Sequence, residues 1–340
     1  MGGLSGRSEH PVEITVTRGG WADCRHFVDI VVAGSDGKIV ASRGDSDGPV
    51  FPRSAIKALQ ALPLVESGAA DAFGFQERHL ALASASHSGE SIHVQTAMEM
   101  LAAAGNSVAD LECGTHPPQS EKARKDLAVK GVPASAIHNN CSGKHAGFLA
   151  FAKFSNFPTA GYVRREHPVQ RAIAATLESI TGYRHEADNA AIDGCSIPTY
   201  CVPLVRLAQG FARFASAVDE NRERAAAMVR IRNACIACPE MVQGEGGFDT
   251  ILMRAGAGTI FAKGGAEGVM VAALPGTGLG IALKCRDGAS RAGEVVLASV
   301  LEALIPVEEP AATTLKMFAN SVLRNWNGMA TGGISVTNGL

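Results

Sequence analysis

Hydrophobic and polar positions first alternate with the period of a strand. VEITVTR (12–18) alternates, HFVDIVVAG (26–34) is rich in β-branched residues, and KIVASRG (38–44) follows the turn pair Asp36-Gly37, which predicts a hairpin. From residue 54 the pattern becomes helical. SAIKALQALPLVESG begins just after Pro52. SIHVQTAMEMLAAAG and SEKARKDLAVKG both end on glycine, and PVQRAIAATLESITG places Pro168 at a first helical position. VPLVRLAQGFARFASA and DENRERAAAMVRIRNACIAC continue the helical run. From about 250 short strands return at 258–265, 268–275 and 278–285, and 291–305 closes as a helix.

The order β-rich, α-rich, β-rich, helix predicts an α+β protein. An antiparallel sheet flanked by helices carries an inserted helical domain. Alternating βαβ units, fixed-period repeats and low-complexity stretches are absent. The expected division is 10–50 with 245–340 for the sheet and 51–244 for the mostly helical part, with the active site between them.

Composition narrows the function. The 340 residues are 46% hydrophobic and 19% charged, which fits a folded core rather than disorder. A formal net charge of −2 without a basic stripe argues against a nucleic-acid partner. No apolar run reaches the roughly 18–20 residues that span a bilayer. MGGLSGRSEH has no apolar signal-peptide core, and Gly6 stands where a myristoylation signal needs Ser or Thr. Eight scattered cysteines in a chain this long read as free thiols, so the expected compartment is the cytoplasm.

Several motifs are bland. There is no P-loop, PGTGLG between strands reads as a glycine turn, and CIAC (235–238) reads as two buried small residues. Ser35–Lys38 falls in the hairpin turn. Ser54–Lys57 opens a helix, and on a helix i and i+3 share a face, so a neutral Lys57 can act as base on a Ser54 nucleophile. The plainer alternative is an N-cap serine with a surface lysine. ASASHSGES (83–91) is a small polar loop ahead of a helix, and FAKGG (261–265) puts Lys263 on a strand before two glycines. Together these pieces resemble the serine β-lactamase arrangement, although Ser-Asp-Asn is missing and Lys-Gly-Gly replaces Lys-Thr-Gly. Arg53 reads either as a bidentate partner for a substrate carboxylate or as a surface arginine at a helix start.

Taken in order, VFPRSAIK, SHSGE, NNCSGKHAGFL, DGCSIPTY and AKGG resemble the rhizobial-type, or class 3, L-asparaginases, from about residue 12 to the C-terminal NWNG. These are Ser-Lys amidohydrolases related in fold to serine β-lactamases and glutaminases. The resemblance implies two tandems, Ser54–Lys57 and Ser86–Lys263, with Ser54 attacking the side-chain amide of L-asparagine. It implies a Zn²⁺ site on Cys141, Lys144 and Cys195 that aids substrate binding. Asp193 and His145 would orient a ligand or the substrate, although His145 also reads as a helix residue satisfied by hydrogen bonds. The resemblance further implies a homodimer. Other readings are a glutaminase or another Ser-Lys amidohydrolase, a penicillin-binding or esterase-like protein, and a zinc-binding scaffold without catalysis.

Overall fold

A computed structural model describes residues 5–218, 220–305 and 309–340. The chain divides into two compact units. The first comprises residues up to Ala55, Val202–Ser216 and Ile251–Leu340. The second comprises Ile56–Cys201 and Ala217–Thr250.

The first unit is built on a nine-stranded sheet. Its main path runs Asn320–Arg324, Ala330–Asn338, Val12–Arg18, Trp21–Ala33, Leu279–Cys285, Val269–Leu274, Phe261–Gly264, with every neighbour antiparallel. Ile39–Arg43 pairs with the far half of Trp21–Ala33, and Gly6–Ser8 adds a parallel partner to it. The predicted turn is present: Gly37 takes a φ of 80° and donates to the Gly34 carbonyl at 3.0 Å.

Strand register assigns the two faces, because directly opposed residues point the same way and neighbours along a strand alternate. Ala33, Gly280, Ala273 and Phe261 line up across four strands on one face. The helix Leu204–Ser216 covers that face. A Cβ at Gly280 would lie 2.1 Å from the Ala208 carbonyl oxygen, so only glycine admits the helix this closely. Phe261 stacks against Phe211 and meets Phe214 edge-on, at centroid distances of 6.1 and 5.2 Å. Leu283 and Met270 point to the opposite face, where the helix Ser290–Leu304 lies against them at Gly293. Both faces are therefore sealed, which explains why all six residues of Val269–Leu274 are buried.

The fold class read from the sequence, an antiparallel sheet flanked by helices with a helical insertion, describes this chain. Three details differ. The helix Leu204–Ser216 lies on the sheet, although the pattern placed it in the helical run. The C-terminal part adds a helix, Ala311–Ala319, and the hairpin Asn320–Arg324/Ala330–Asn338. The predicted helix after Pro52 breaks into the 3₁₀ turn Arg53–Ile56 and the short helices Lys57–Gln60 and Leu62–Glu66. Pro63 sits in the first turn of Leu62–Glu66, where its missing N–H costs nothing, and it cannot continue a helix from before.

The second unit is helical. Its centre is Ser142–Phe154, whose residues 142–152 are all buried. Two glycines let a neighbour approach. A Cβ on Gly143 would stand 2.4 Å from Leu82 Cγ, and one on Gly147 would stand 3.3 Å from Ala83 Cβ. The helix Glu77–Ala83 thus crosses directly over the start of Ser142–Phe154. Gly131 and Gly182 end the helices Glu121–Lys130 and Pro168–Thr181 in left-handed conformation, as the sequence indicated. A short hairpin, Ala190–Ile192 with Pro198–Tyr200, carries Asp193 and Cys195 in its loop. Asp193 closes the loop: its N–H donates to the Ile197 carbonyl and its carbonyl accepts from Ser196, both at 2.9 Å.

Candidate active site

The close crossing at Gly143 decides the local geometry of the second unit. The chain leaving Glu77–Ala83 is delivered to the N-terminus of Ser142–Phe154, so Ser86-His87 meets Asn139–Ser142. His87 fastens the two. Its N–H donates to the Asn140 carbonyl at 3.1 Å. The Gly89 N–H donates to His87 Nδ1 at 3.1 Å, which leaves the ring proton on Nε2 to reach Ser142 Oγ at 2.9 Å. The Ser142 hydroxyl in turn donates to the Ile137 carbonyl at 2.8 Å. His87 is fully buried, stacks on His93 with centroids 5.0 Å apart, and burial holds its pKa well below the usual imidazole range, so it stays neutral.

Lys57 is 1% exposed and donates to the Ala85 carbonyl at 2.7 Å and to Ser86 Oγ at 2.9 Å. Cys141 precedes the central helix, with its N–H held by Asn139 Oδ1 at 2.9 Å. Lys144, one turn on and also 1% exposed, donates to Cys195 Sγ at 3.1 Å. Asp193 Oδ2 lies 4.0 Å from Cys195 Sγ. The structure therefore gathers Lys57, Ser86, Cys141, Lys144, Asp193 and Cys195 in one unit.

The two thiols shift in opposite directions. A hydrogen bond from Cys195 lowers Cys141 well below the ordinary thiol value, against burial and with help from the Lys144 and Lys57 charges. Cys195 is pushed up because it keeps that proton, and burial adds to the effect. Burial pulls Lys144 down, but the charge on Cys141 and Cys195 outweighs it and the net shift is upward. Both shifts favour charge on this pair, a thiolate at Cys141 and an ammonium at Lys144.

His145, next along the helix, is fully buried against Tyr162. Tyr162 accepts the Glu112 N–H at 2.9 Å, so its own hydroxyl hydrogen goes to His145 Nδ1 at 2.7 Å. That fixes the proton on Nε2, which has no partner among the described residues. Burial, then the Lys144 and Lys57 charges, hold His145 well below the usual imidazole value, so it is a neutral donor.

The remaining candidates belong to the first unit. Ser54 and Arg53 are half-buried on the turn Arg53–Ile56, and Arg53 takes a φ of 51°, a strained value for a residue with a side chain. Lys263 is 1% exposed on the strand Phe261–Gly264, on the face shared with Phe261, and donates to the Gly264 carbonyl at 2.8 Å. The glycines after it have a definite use. A Cβ on Gly265 would stand 2.9 Å from both the Pro52 carbonyl oxygen and the Ala55 N, so the room is taken by the turn that carries Ser54.

The donor set Cys141, Lys144, Cys195 fits Zn²⁺: two thiols, one of them shifted toward the thiolate, and an amine 3.1 Å from the other. Binding requires Lys144 to give up the proton that the thiolate now holds on it. His87 was missed from sequence. Its signal was a histidine directly after Ser86 in an otherwise small, polar loop. A second group, His26, Cys285 and Asp287, was also missed, although Cys24-x-His26 and Cys285-x-Asp287 have the spacing that puts residues on one face of a strand.

The model of the L-asparaginase II family matches residues 14–336, and the chain belongs to that family. No curated protein matches it. Among solved structures it is similar to Mglu in its native form (17% identity, TM-score 0.43, 82% of this chain and 60% of that one). It is also similar to Mglu in its L-glutamate binding form, with the same figures. A LovD6 mutant of the simvastatin synthase LovD from Aspergillus terreus gives 11% identity and TM-score 0.37, over 86% of this chain and 88% of that one. The chain spans about three fifths of the length of the Mglu structures it matches.

Proposed function

We propose that this chain hydrolyses the side-chain amide of L-asparagine to L-aspartate and ammonia. Ser54 Oγ forms a bond to the amide carbon and Lys57 takes the hydroxyl proton. The C–N bond then breaks, the proton goes to the departing ammonia, and water hydrolyses the aspartyl ester. Ser86 and Lys263 form the second tandem of the proton relay. The oxyanion would be met by the Ser54 N–H and one from the strand end after Lys263. Arg53 takes the substrate α-carboxylate, and Asp193 and His145 orient the substrate. Cys141, Lys144 and Cys195 hold a Zn²⁺ ion, which supplies fixed positive charge for substrate positioning rather than a nucleophile. The reading extends to a homodimer in the cytoplasm. No helix among the described residues is long and apolar enough to cross a membrane.

The observation that carries this proposal is Lys57 itself: a lysine sealed from water with its Nζ 2.9 Å from a serine hydroxyl, inside a family of amide-cleaving enzymes. That same contact favours a second reading, in which Ser86 is the nucleophile and Lys57 its direct base.

The deciding experiment measures ammonia release from L-asparagine, L-glutamine and a β-lactam with Ser54→Ala and Ser86→Ala in parallel. Loss of at least about 10³-fold in kcat for Ser54→Ala, with a trapped acyl-enzyme on Ser54 in the parent, is the expected result. Near-normal turnover by Ser54→Ala with a dead Ser86→Ala moves the nucleophile to Ser86. Faster turnover of L-glutamine than of L-asparagine makes the chain a glutaminase.

A further inference from the structure

Away from the residues assigned to catalysis, the sheet unit holds a second convergence of metal-ligating side chains. His26 lies on the strand Trp21–Ala33, and Cys285 ends the strand Leu279–Cys285, paired with Val28. Register puts His26, Val28 and Cys285 on the same face, the one covered by Ser290–Leu304. Asp287 follows in the turn before that helix and accepts the Ala289 N–H at 3.1 Å. One ligand atom from each of His26, Cys285 and Asp287 falls within 4.8 Å of the others.

The protons show what occupies the gap between them. Arg291 Nε donates to His26 Nε2 at 3.2 Å, so the ring proton is on Nδ1 and points at Asp287 Oδ2, 2.6 Å away. Cys285 Sγ donates to Asp287 Oδ1 at 2.9 Å. Two labile protons therefore hold three ligand atoms around one point, and the imidazole and thiol are almost fully buried while the carboxylate is half exposed.

We propose that His26 Nδ1, Cys285 Sγ and the Asp287 carboxylate form a transition-metal site, taking Zn²⁺ or a similar borderline divalent cation. An imidazole, a thiolate and a carboxylate are zinc ligands, and the half-exposed side leaves a fourth position for water. The exchange balances. The Cys285 proton leaves to solvent and the His26 proton moves from Nδ1 to Nε2. The thiolate and carboxylate charges then match the dication. The ligand atoms separate from hydrogen-bond distance to about 3.3–3.7 Å, as a tetrahedron with bonds of about 2.0–2.3 Å requires. The new Nε2–H has an acceptor in place, because Cys24 Sγ stands 3.7 Å from Nε2. A metal-bound histidine needs such a partner for its second nitrogen. Two cations touch these residues: Lys284 donates to the Cys285 backbone carbonyl at 2.8 Å, and Arg291 sits on the Nε2 side of His26 rather than among the converging ligand atoms. Its side chain is exposed, and it keeps its 3.1 Å contact to Cys24 Sγ when it releases the imidazole.

The test titrates chelator-stripped protein with Zn²⁺ and with Co²⁺, using the Cys141→Ala/Cys195→Ala double variant so that only this site is read. The double variant should still bind one cation per chain, with thiolate-to-cobalt charge-transfer absorption. Asp287→Asn and, separately, His26→Gln should each weaken binding at least about 100-fold. Cys285→Ser should abolish the charge-transfer band, with circular dichroism confirming that each variant is folded. The proposal is overturned if the double variant binds no metal, or if its binding is indifferent to Asp287→Asn and His26→Gln. Metal lost from Cys141→Ala/Cys195→Ala relative to the parent speaks only to the other cluster, so the two readings fail independently.

Discussion

In the helical unit, Cys141, Lys144 and Cys195 meet almost without water; in the sheet unit, Cys285, His26 and Asp287 meet with the carboxylate half in solvent. The side-chain types are similar, but the charge settles differently. In the sealed cluster Asp193 stands 4.0 Å from Cys195 Sγ, and the downward shift falls on the Cys141 thiol, helped by the Lys144 charge. In the half-open cluster Asp287 carries the charge. The Cys285 S–H bond, with support from His26, depresses its pKa well below the carboxylate range, while burial and that same carboxylate push the Cys285 thiol up to about 12. The group shifted down is thus a thiol in the sealed cluster and a carboxylate in the half-open one. The sealed site offers a ready thiolate at the cost of a protonated lysine. The half-open site offers a neutral thiol beside a ready carboxylate.

The comparison breaks most sharply at Lys144. Lys144→Met leaves the buried thiols without their counter-charge, and urea unfolding of the metal-free chain should show a loss of about 3–5 kcal/mol. A loss under about 1 kcal/mol would mean that the pair is not charged. Gly143→Ala comes next. Its Cβ collides with Leu82, and the helix crossing that brings Ser86 to Cys141 must open. The expected cost is about 1–3 kcal/mol, with a fall in kcat larger than the stability loss explains.

The smallest effect belongs to the half-open cluster. Because Asp287 has a folded-state pKa below its usual 3.8, its contribution is complete above that value and disappears as pH falls from about 4 downward. Asp287→Asn should therefore remove part of the acid limb of the stability curve in chelator-treated protein. Half the side chain is in water, so the change should stay under about 1 kcal/mol. An effect as large as that of Lys144→Met would erase the distinction between the two clusters.

Much of the framework was legible in the chain. Alternation gave the strands around residues 12–43, and Asp36-Gly37 gave their turn. Gly131, Gly182 and Pro168 marked helix ends because those positions need a left-handed or N–H-free residue. The C-terminal hairpin was not legible: Asn320–Arg324 and Ala330–Asn338 are polar, glycine-bearing and mostly half-buried or exposed, with Ile334 alone buried in the two strands, so no fully buried face imprints a pattern on them. Leu204–Ser216 was recognisable as a helix, but its apolar stripe does not say whether a sheet or another helix will cover it.

For the candidate site, the sequence by itself supplied the chemical inventory: serines three residues from lysines, a Cys-x-x-Lys pair, and a second thiol far along the chain. Spacing of three residues is local information, which puts two side chains on one face only where the segment is helical. Tertiary structure decided the rest. It set Lys57 against Ser86, bound Cys195 to Lys144 across 51 positions, and drew His26 to Asp287 across 261. It also decided protonation, because the charge a thiol or lysine carries depends on the water and partners around it. Those are properties of the packed chain that no single residue holds.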